Sequence, residues 1–246
     1  YLRKRTSVFW NKLSEYTRTP KCISDDKEET HFKIIIPSYN AGPWIEKTLN
    51  SVKKQEYENY ECLVCDDISS DDTWRKINDF YFPGLVKVKN TEKKFALKNI
   101  YEGVLQLNSK PEDVVVILDG DDWFSNSHVL SNLNKLYTGT DCLLTYGSFV
   151  RYPDASIGQE ASIYPKAVIE ENSYRSDVWR ASHLKTFKCS LWERVEEKDL
   201  CDVNMRFYES SYDQAMMLPM LEMAGPRAEY IPDIMYVYNV GNPNAV

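Results

Sequence analysis

Val114-Val115-Val116-Ile117-Leu118-Asp119-Gly120-Asp121-Asp122-Trp123 decides how the chain is read. An unbroken apolar run rich in β-branched valine fits a strand buried on both faces of a parallel sheet. It ends abruptly in three carboxylates. In extended backbone Asp119 and Asp121 would share a side, and Gly120 between them would let the main chain approach a ligand closely. Two hard oxygen ligands so placed suit Mg2+ or Mn2+, with water and substrate phosphates completing the shell. The bland alternative is an acidic loop with Asp122 capping a helix, so the rest of the chain has to decide.

Working outward, strands alternate with helices. Residues 32–36 form a strand stopped by Pro37, and Ser38-Tyr39-Asn40-Ala41-Gly42-Pro43 is a loop. Pro43 opens a helix bearing Ile45, Leu49 and Val52 on one face. Residues 60–65 make a second strand ending in Asp66-Asp67, and Ser69-Ser70-Asp71-Asp72 offers caps for a helix over 73–80. A strand at 85–88, a helix at 95–107, the central strand, a helix at 126–136 and a strand at 142–146 follow. This alternation predicts an α/β fold with a mostly parallel central sheet and right-handed crossovers. Ligands of such sheets sit beyond the carboxyl ends of the strands, where Pro37 to Asn40, Asp66-Asp67 and Asp119 to Asp122 would converge.

Residues 150–180 lose the pattern and read as irregular structure over the crevice. The segment Arg180-Ala181-Ser182-His183-Leu184-Lys185-Thr186-Phe187-Lys188 follows. Its imidazole suits a further metal ligand, and Lys185 and Lys188 suit a diphosphate clamp. Ser211-Tyr212-Asp213-Gln214 has capping-box spacing before an apolar helix that Gly225-Pro226 ends. Asp213 in its first turn is either a carboxylate favoured by the helix dipole or a rigidly held general base. Residues 231–239 close as a strand.

With 246 residues and a net charge of -7, the chain has room for one large domain and has dispersed cations, which argues against a nucleic-acid surface. Residues 1–30, a basic amphipathic helix and an acidic linker, are expected as an appendage that docks on the domain, rests on a membrane surface or joins a preceding domain. The domain itself covers 31–246, with a nucleotide-binding half over 31–123 and an acceptor half over 124–246. No run reaches the roughly 18 apolar residues of a membrane span. Because position 1 is Tyr rather than Met, membrane association through sequence outside the chain stays open. Cys62 and Cys65 fall in a strand facing opposite ways, so buried reduced thiols and a cytoplasmic location are expected.

Taken in order, Phe32 to Asn40, Leu63 to Asp71, Lys98-Asn99 and Ile117 to Asp122 resemble the motifs of the GT-A glycosyltransferases of family 2. His183-Leu184-Lys185-Thr186-Phe187 followed by Tyr212-Asp213 resembles the bacterial chondroitin polymerase branch. The resemblance implies a Rossmann-like GT-A fold and an inverting, metal-dependent transferase. A nucleoside-diphosphate sugar, most often UDP-linked, would be the donor, and a hydroxyl of a glycan or glycoconjugate the acceptor. Pro37 and Tyr39 would line the base with Asp67 bonded to it, Lys98 or Asn99 would lie near ribose or phosphates, Asp119 at the ribose, and Asn40 and Gly120 would belong to the same donor-binding set. Asp121 and His183 would hold Mn2+ or Mg2+, and Asp213 would be the base. Ile68 stands where the family's turn usually has glycine. The Gln-x-x-Arg-Trp signature of processive synthases is absent, which implies addition of a single sugar. The competing expectations are a sugar nucleotidyltransferase, which would want a glycine-rich basic loop after the first strand, and a glycan-binding or scaffold domain without catalysis.

Overall fold

The computed structural model describes residues 29–242; the expected appendage at 1–30 lies almost wholly outside them. One eight-stranded sheet runs through the molecule, its strands numbered in chain order β1 (Phe32–Ser38), β2 (Tyr60–Asp66), β3 (Leu85–Lys89), β4 (Val114–Ile117), β5 (Trp123–Phe124), β6 (Leu144–Tyr152), β7 (Lys185–Lys188) and β8 (Ala228–Asn239) and lying in the order β3-β2-β1-β4-β7-β6-β8-β5. Its first half is the expected parallel block: β1, β2, β3 and β4, all in parallel register. Three crossover helices connect them, α1 (Ile45–Lys53), α2 (Thr73–Asp79) and α3 (Phe95–Gln106). Strand alternation divides the apolar residues between two cores. Ile34, Ile36, Cys62 and Val64 pack on the α1 face, while Ile35, Leu63, Cys65 and Leu97 pack on the α3 face. Cys62 and Cys65 therefore do face opposite ways, and both are free, buried thiols.

The second half departs from simple alternation. After β5 (Trp123–Phe124) and α4 (Val129–Gly139) comes β6 (Leu144–Tyr152). It pairs not with β4 but with β7 (Lys185–Lys188), which runs antiparallel to both. The reason is where the chain travels. β6 ends at the carboxyl edge of the sheet, and residues 153–184, which include the short α5 (Lys166–Glu170), return to that same edge, so the next strand must descend. After α6 (Cys189–Trp192), α7 (Tyr212–Ala224) leads into β8 (Ala228–Asn239), parallel to β6 and antiparallel to β5. No helix among the described residues is long and apolar enough to cross a membrane.

Several local expectations shift. Asn126 is not helical: its Oδ1 accepts from the His128 N–H at 2.8 Å, a turn that delays α4 to Val129. Ser211 does not cap α7, because its φ of 55° is left-handed and its side chain makes no cap bond. Asp72 likewise makes no cap bond. Asp71 instead accepts from the Thr73 N–H at 3.0 Å and from the Gly42 N–H at 2.9 Å, tying the β1–α1 loop to the start of α2.

Gly103 lets α3 lie against the sheet: a Cβ there would meet Ile35 Cγ2 at 3.0 Å and Leu63 Cδ2 at 3.5 Å. Although glycine is a poor helix former, Gly103→Val should destabilise the protein by about 2 kcal/mol through overpacking, read as a lower midpoint in urea unfolding.

Candidate active site

The carboxyl ends of β1, β2 and β4, the start of α3 and the start of α7 surround a cleft of about 540 Å³. Parallel strands bring the first three ends together. Helix α7 runs against the strand direction on its way to β8, so its N-terminus also faces this edge. The lining includes Pro37, Tyr39, Asp67, Asn99, Asp119, Gly120, Asp121 and Asp213 from the expected set.

The carboxylate run does not stay extended. Asp122 N–H bonds to Asp119 O at 3.0 Å, closing a turn, and the three side chains go to different partners. Asp119 accepts from the Tyr212 hydroxyl at 2.7 Å and from the Tyr236 hydroxyl at 3.3 Å. Asp121 accepts from Asn242 Nδ2 at 2.8 Å. Asp122 is buried and pinned to β8 by the Tyr236 hydroxyl and by the Asn239 N–H at 2.7 Å, so it anchors a strand instead of capping a helix. Burial, with the neighbouring carboxylates adding repulsion, raises Asp119 to about 6. Burial also raises Asp121, and Asp122 more strongly. Gly120 serves a contact inside the protein: a Cβ there would meet Ser38 Oγ at 2.5 Å and Ser38 Cα at 3.0 Å, so glycine allows the β4 turn to rest on the end of β1. Its N–H and C=O bind Pro37 O and Thr48 Oγ1.

On the opposite wall, Asp67 accepts from Asn90 Nδ2 at 2.8 Å and from the N–H groups of Lys94 and Phe95 at 2.9 and 2.8 Å. Burial opposes its charge, yet these bonds hold it below the usual carboxylate range. Lys93 is paired with it at 3.2 Å and lies 2.9 Å from the centroid of the Tyr39 ring. Asn99 is buried against Cys65 and Asn90.

Asp213 lines the cleft from the first turn of α7, backed by an ion pair with Lys185, a fully buried lysine on β7. Burial pushes the Asp213 carboxyl up, but the Lys185 ammonium prevails and lowers it. Lys185 thus serves a carboxylate and not a diphosphate wall. His183 stacks on Tyr236 and Tyr238, with ring centroids 4.6 and 5.4 Å apart. Burial lowers its imidazole to about 3, so it is neutral, as a metal ligand must be, and its buried Nδ1 has no hydrogen-bond partner.

Neither Lys185 nor His183 is among the residues lining the cleft; each touches it through a lining neighbour, Asp213 and Tyr238. Three further expected residues lie elsewhere. Lys188 pairs with Val114, whereas Lys185 pairs with Ile117. Because β7 descends, Lys188 sits at the far end of the strand, roughly 10 Å from the site edge. Lys98 is one residue from Asn99 on α3, turned about 100° away into a neighbouring depression with Tyr101 and Arg206. Asn40 ties loops together: its N–H bonds Ser69 Oγ and its Oδ1 accepts from the Ser70 N–H. Sequence reasoning assigned no role to Lys93, Tyr212, Tyr236 or Asn242. The only signal available was position, Tyr212 beside Asp213 and Asn242 in the loop after the last strand.

Among the described residues no three His, Cys, Asp or Glu side chains form a ready cage for a metal. By chemistry alone two donors fit a divalent ion: cleft-facing Asp121 offers a hard oxygen, and His183, which is not among the cleft's lining residues, offers a neutral, unpartnered Nδ1 nitrogen.

A family model described as Glycosyl transferase family 2 matches residues 33–207. The chain is 36% identical over 105 residues to the Escherichia coli UDP-Glc:alpha-D-GlcNAc-diphosphoundecaprenol beta-1,3-glucosyltransferase WfgD, covering 38% of this chain and 36% of that protein. Among solved structures, it resembles Staphylococcus aureus TarS 1-349 in complex with UDP-GlcNAc, with a TM-score of 0.65, 18% identity, and 87% of this chain and 60% of that chain covered. It also resembles the Pyrobaculum calidifontis mannosyltransferase PcManGT in complex with GDP-Man and Mn2+, with a TM-score of 0.59, 19% identity, and 98% and 66% covered. The chain thus spans about a third of that curated relative, and the fold is that of GT-A enzymes.

The raised Asp119 has a thermodynamic consequence. Between the ordinary value of 3.8 and about 6, the folded state binds more protons than the unfolded one. Stability is therefore lost as pH rises through this window, and the whole cost is present above it. Asp119→Asn should stabilise metal-free protein at pH 7.5 by on the order of 2 kcal/mol. The gain should shrink towards pH 4, as thermal melts in EDTA would record.

Proposed function

The chain belongs to glycosyl transferase family 2, and from that premise we propose that it is a metal-dependent, inverting glycosyltransferase. It moves one sugar from a nucleoside-diphosphate sugar, a UDP-sugar by preference, to a hydroxyl of a glycan or glycoconjugate. The E. coli relative's name describes such an acceptor carried on diphosphoundecaprenol. The observation that carries the reading is the meeting of Asp213, backed by Lys185, with Asp119, Asp121, Asp67 and Tyr39 around one cleft.

In this reading the base lies along Pro37 and Tyr39 towards Asp67 and Asn99, and the ribose and diphosphate run past Gly120 towards Asp119 and Asp121. Asp121 and His183 are the residues that would hold Mn2+ or Mg2+; such an ion, when bound, neutralises the charge that builds on the departing diphosphate. Asp213 faces the acceptor. As the acceptor oxygen bonds to the anomeric carbon and the bond from that carbon to the phosphate oxygen breaks on the opposite face, Asp213 takes the hydroxyl proton. One displacement inverts the centre. The Lys185 ion pair keeps Asp213 ionised and fixed in direction until acceptor O–H cleavage is under way. Burial of Lys185 limits solvent screening, so its ammonium acts strongly on Asp213.

Asp213→Asn should cut transfer by roughly 10³-fold while UDP affinity in Mn2+ stays within about twofold, a factor worth well under 1 kcal/mol; loss of both together would remove Asp213 as the base. Since this variant strands the buried Lys185 charge, the Lys185→Met, Asp213→Asn double variant serves as the folded control. Asp121→Ala should abolish the Mn2+-dependent part of UDP affinity in calorimetry and leave binding in EDTA unchanged.

A further inference from the structure

The cleft has a charge problem. Among the described residues six carboxyl groups line it, Asp67, Asp119, Asp121, Asp122, Glu209 and Asp213, and the single cationic side chain in that lining is Lys93. The lysines that the sequence offered for a diphosphate are unsuited: Lys185 is committed to Asp213, and Lys188 and Lys98 lie outside the cleft. Lys93 itself covers the proposed base position. Its ammonium is 2.9 Å from the centroid of the Tyr39 ring, 3.2 Å from Asp67 Oδ2 and 3.2 Å from the Asp67 carbonyl oxygen. A base stacked on this face of Tyr39 and a lysine lying on it exclude one another.

Resting on the nucleotide-sugar reading above, we infer that Lys93 is a donor-positioning residue with two alternative partners. It covers Tyr39 and Asp67 until the base takes that place, and its ammonium then pairs with the donor diphosphate. The exchange keeps the cation paired throughout. An ammonium leaving a carboxylate and an aromatic face loses a salt bridge and a cation–π contact. A diphosphate brings about two negative charges into a cleft whose other walls are acidic, so the same ammonium regains a charge-assisted contact there. The side chain is suited to such a swing, being four methylenes long with its charge at the tip. It leaves the turn just before α3, where Asp67 is also held by the Lys94 and Phe95 N–H groups. Asp67 and its loop therefore keep main-chain bonds when the ammonium departs. Lys93 would thereby couple base recognition to phosphate recognition: a nucleoside alone displaces the lysine without offering it a new partner.

The test separates the two halves of the donor. Isothermal titration of uridine and of UDP, both in EDTA, would be run on the unmodified protein, on Lys93→Met and on Lys93→Arg. Uridine should bind Lys93→Met at least as tightly as the unmodified protein, because Tyr39 is uncovered. The preference for UDP over uridine should fall roughly tenfold with the lost charge-assisted contact, and Lys93→Arg should retain it. An unchanged preference in Lys93→Met would overturn the inference. So would a parallel fall for uridine and UDP, which would mean that Lys93 only braces the loop. If the unmodified protein binds neither compound, with or without Mn2+, the nucleotide-sugar reading itself falls and this inference with it. Binding of both by the unmodified protein with no change in their ratio on substitution would overturn the role of Lys93 alone.

Discussion

Asp119, Asp121 and Asp122 stand within four residues of one another at the end of a buried strand, and the burial of so much negative charge, with repulsion added, is the constraint to which the surrounding structure answers. In water such a cluster would cost little; at the base of a cleft each charge is poorly solvated. The fold answers with directed donors. Tyr212 and Tyr236 hydroxyls, the Asn239 N–H and the Asn242 amide reach the carboxylates from α7, β8 and the loop beyond it. These partners lie some 90 to 120 residues away in sequence. The acidic site thereby locks the second half of the sheet to the first.

The same logic explains the cations. Lys185 is buried without exposure, and Asp213 is its partner. Removing either would leave a buried charge uncompensated, which is why they read as one unit. His183 has its imidazole wedged between tyrosines and its Nδ1 unpartnered, an arrangement that favours the neutral ring. The protein thus places a fixed ammonium behind Asp213, a neutral ring behind Tyr236 and Tyr238, and one long, partly exposed lysine at the cleft's far wall. A fixed charge is thus buried behind one wall of the cleft, and a partly exposed one stands on the other.

Much of this was legible in the chain alone. The apolar strands ending in Pro37, Asp66 and Ile117 follow from period and composition, and parallel crossovers then oblige their carboxyl ends to meet. Asp67, Asp119, Asp121 and Tyr39 could be placed on one edge before any coordinates, and Asp213 at a helix start. Asn99 could be placed only as one of two neighbours. Lys98 and Asn99 differ by about 100° around α3, and only packing decides which of them turns inward. The capping box at Ser211 misled for a related reason, since residue types at the right spacing do not guarantee the backbone that a cap requires.

What the sequence by itself determined is the local hydrophobic period, the parallel first half and the set of carboxylates at its edge, because these depend on near neighbours and on the geometry of crossovers. Only the tertiary structure decided the descent of β7, which carries Lys185 to the site and Lys188 away from it. It also decided the tyrosine donors on Asp119 and Asp122, and the passage of Lys93 across Tyr39. Each of these rests on contacts between residues far apart in the chain. Their side-chain directions are set by strand order and close packing, which no local pattern encodes.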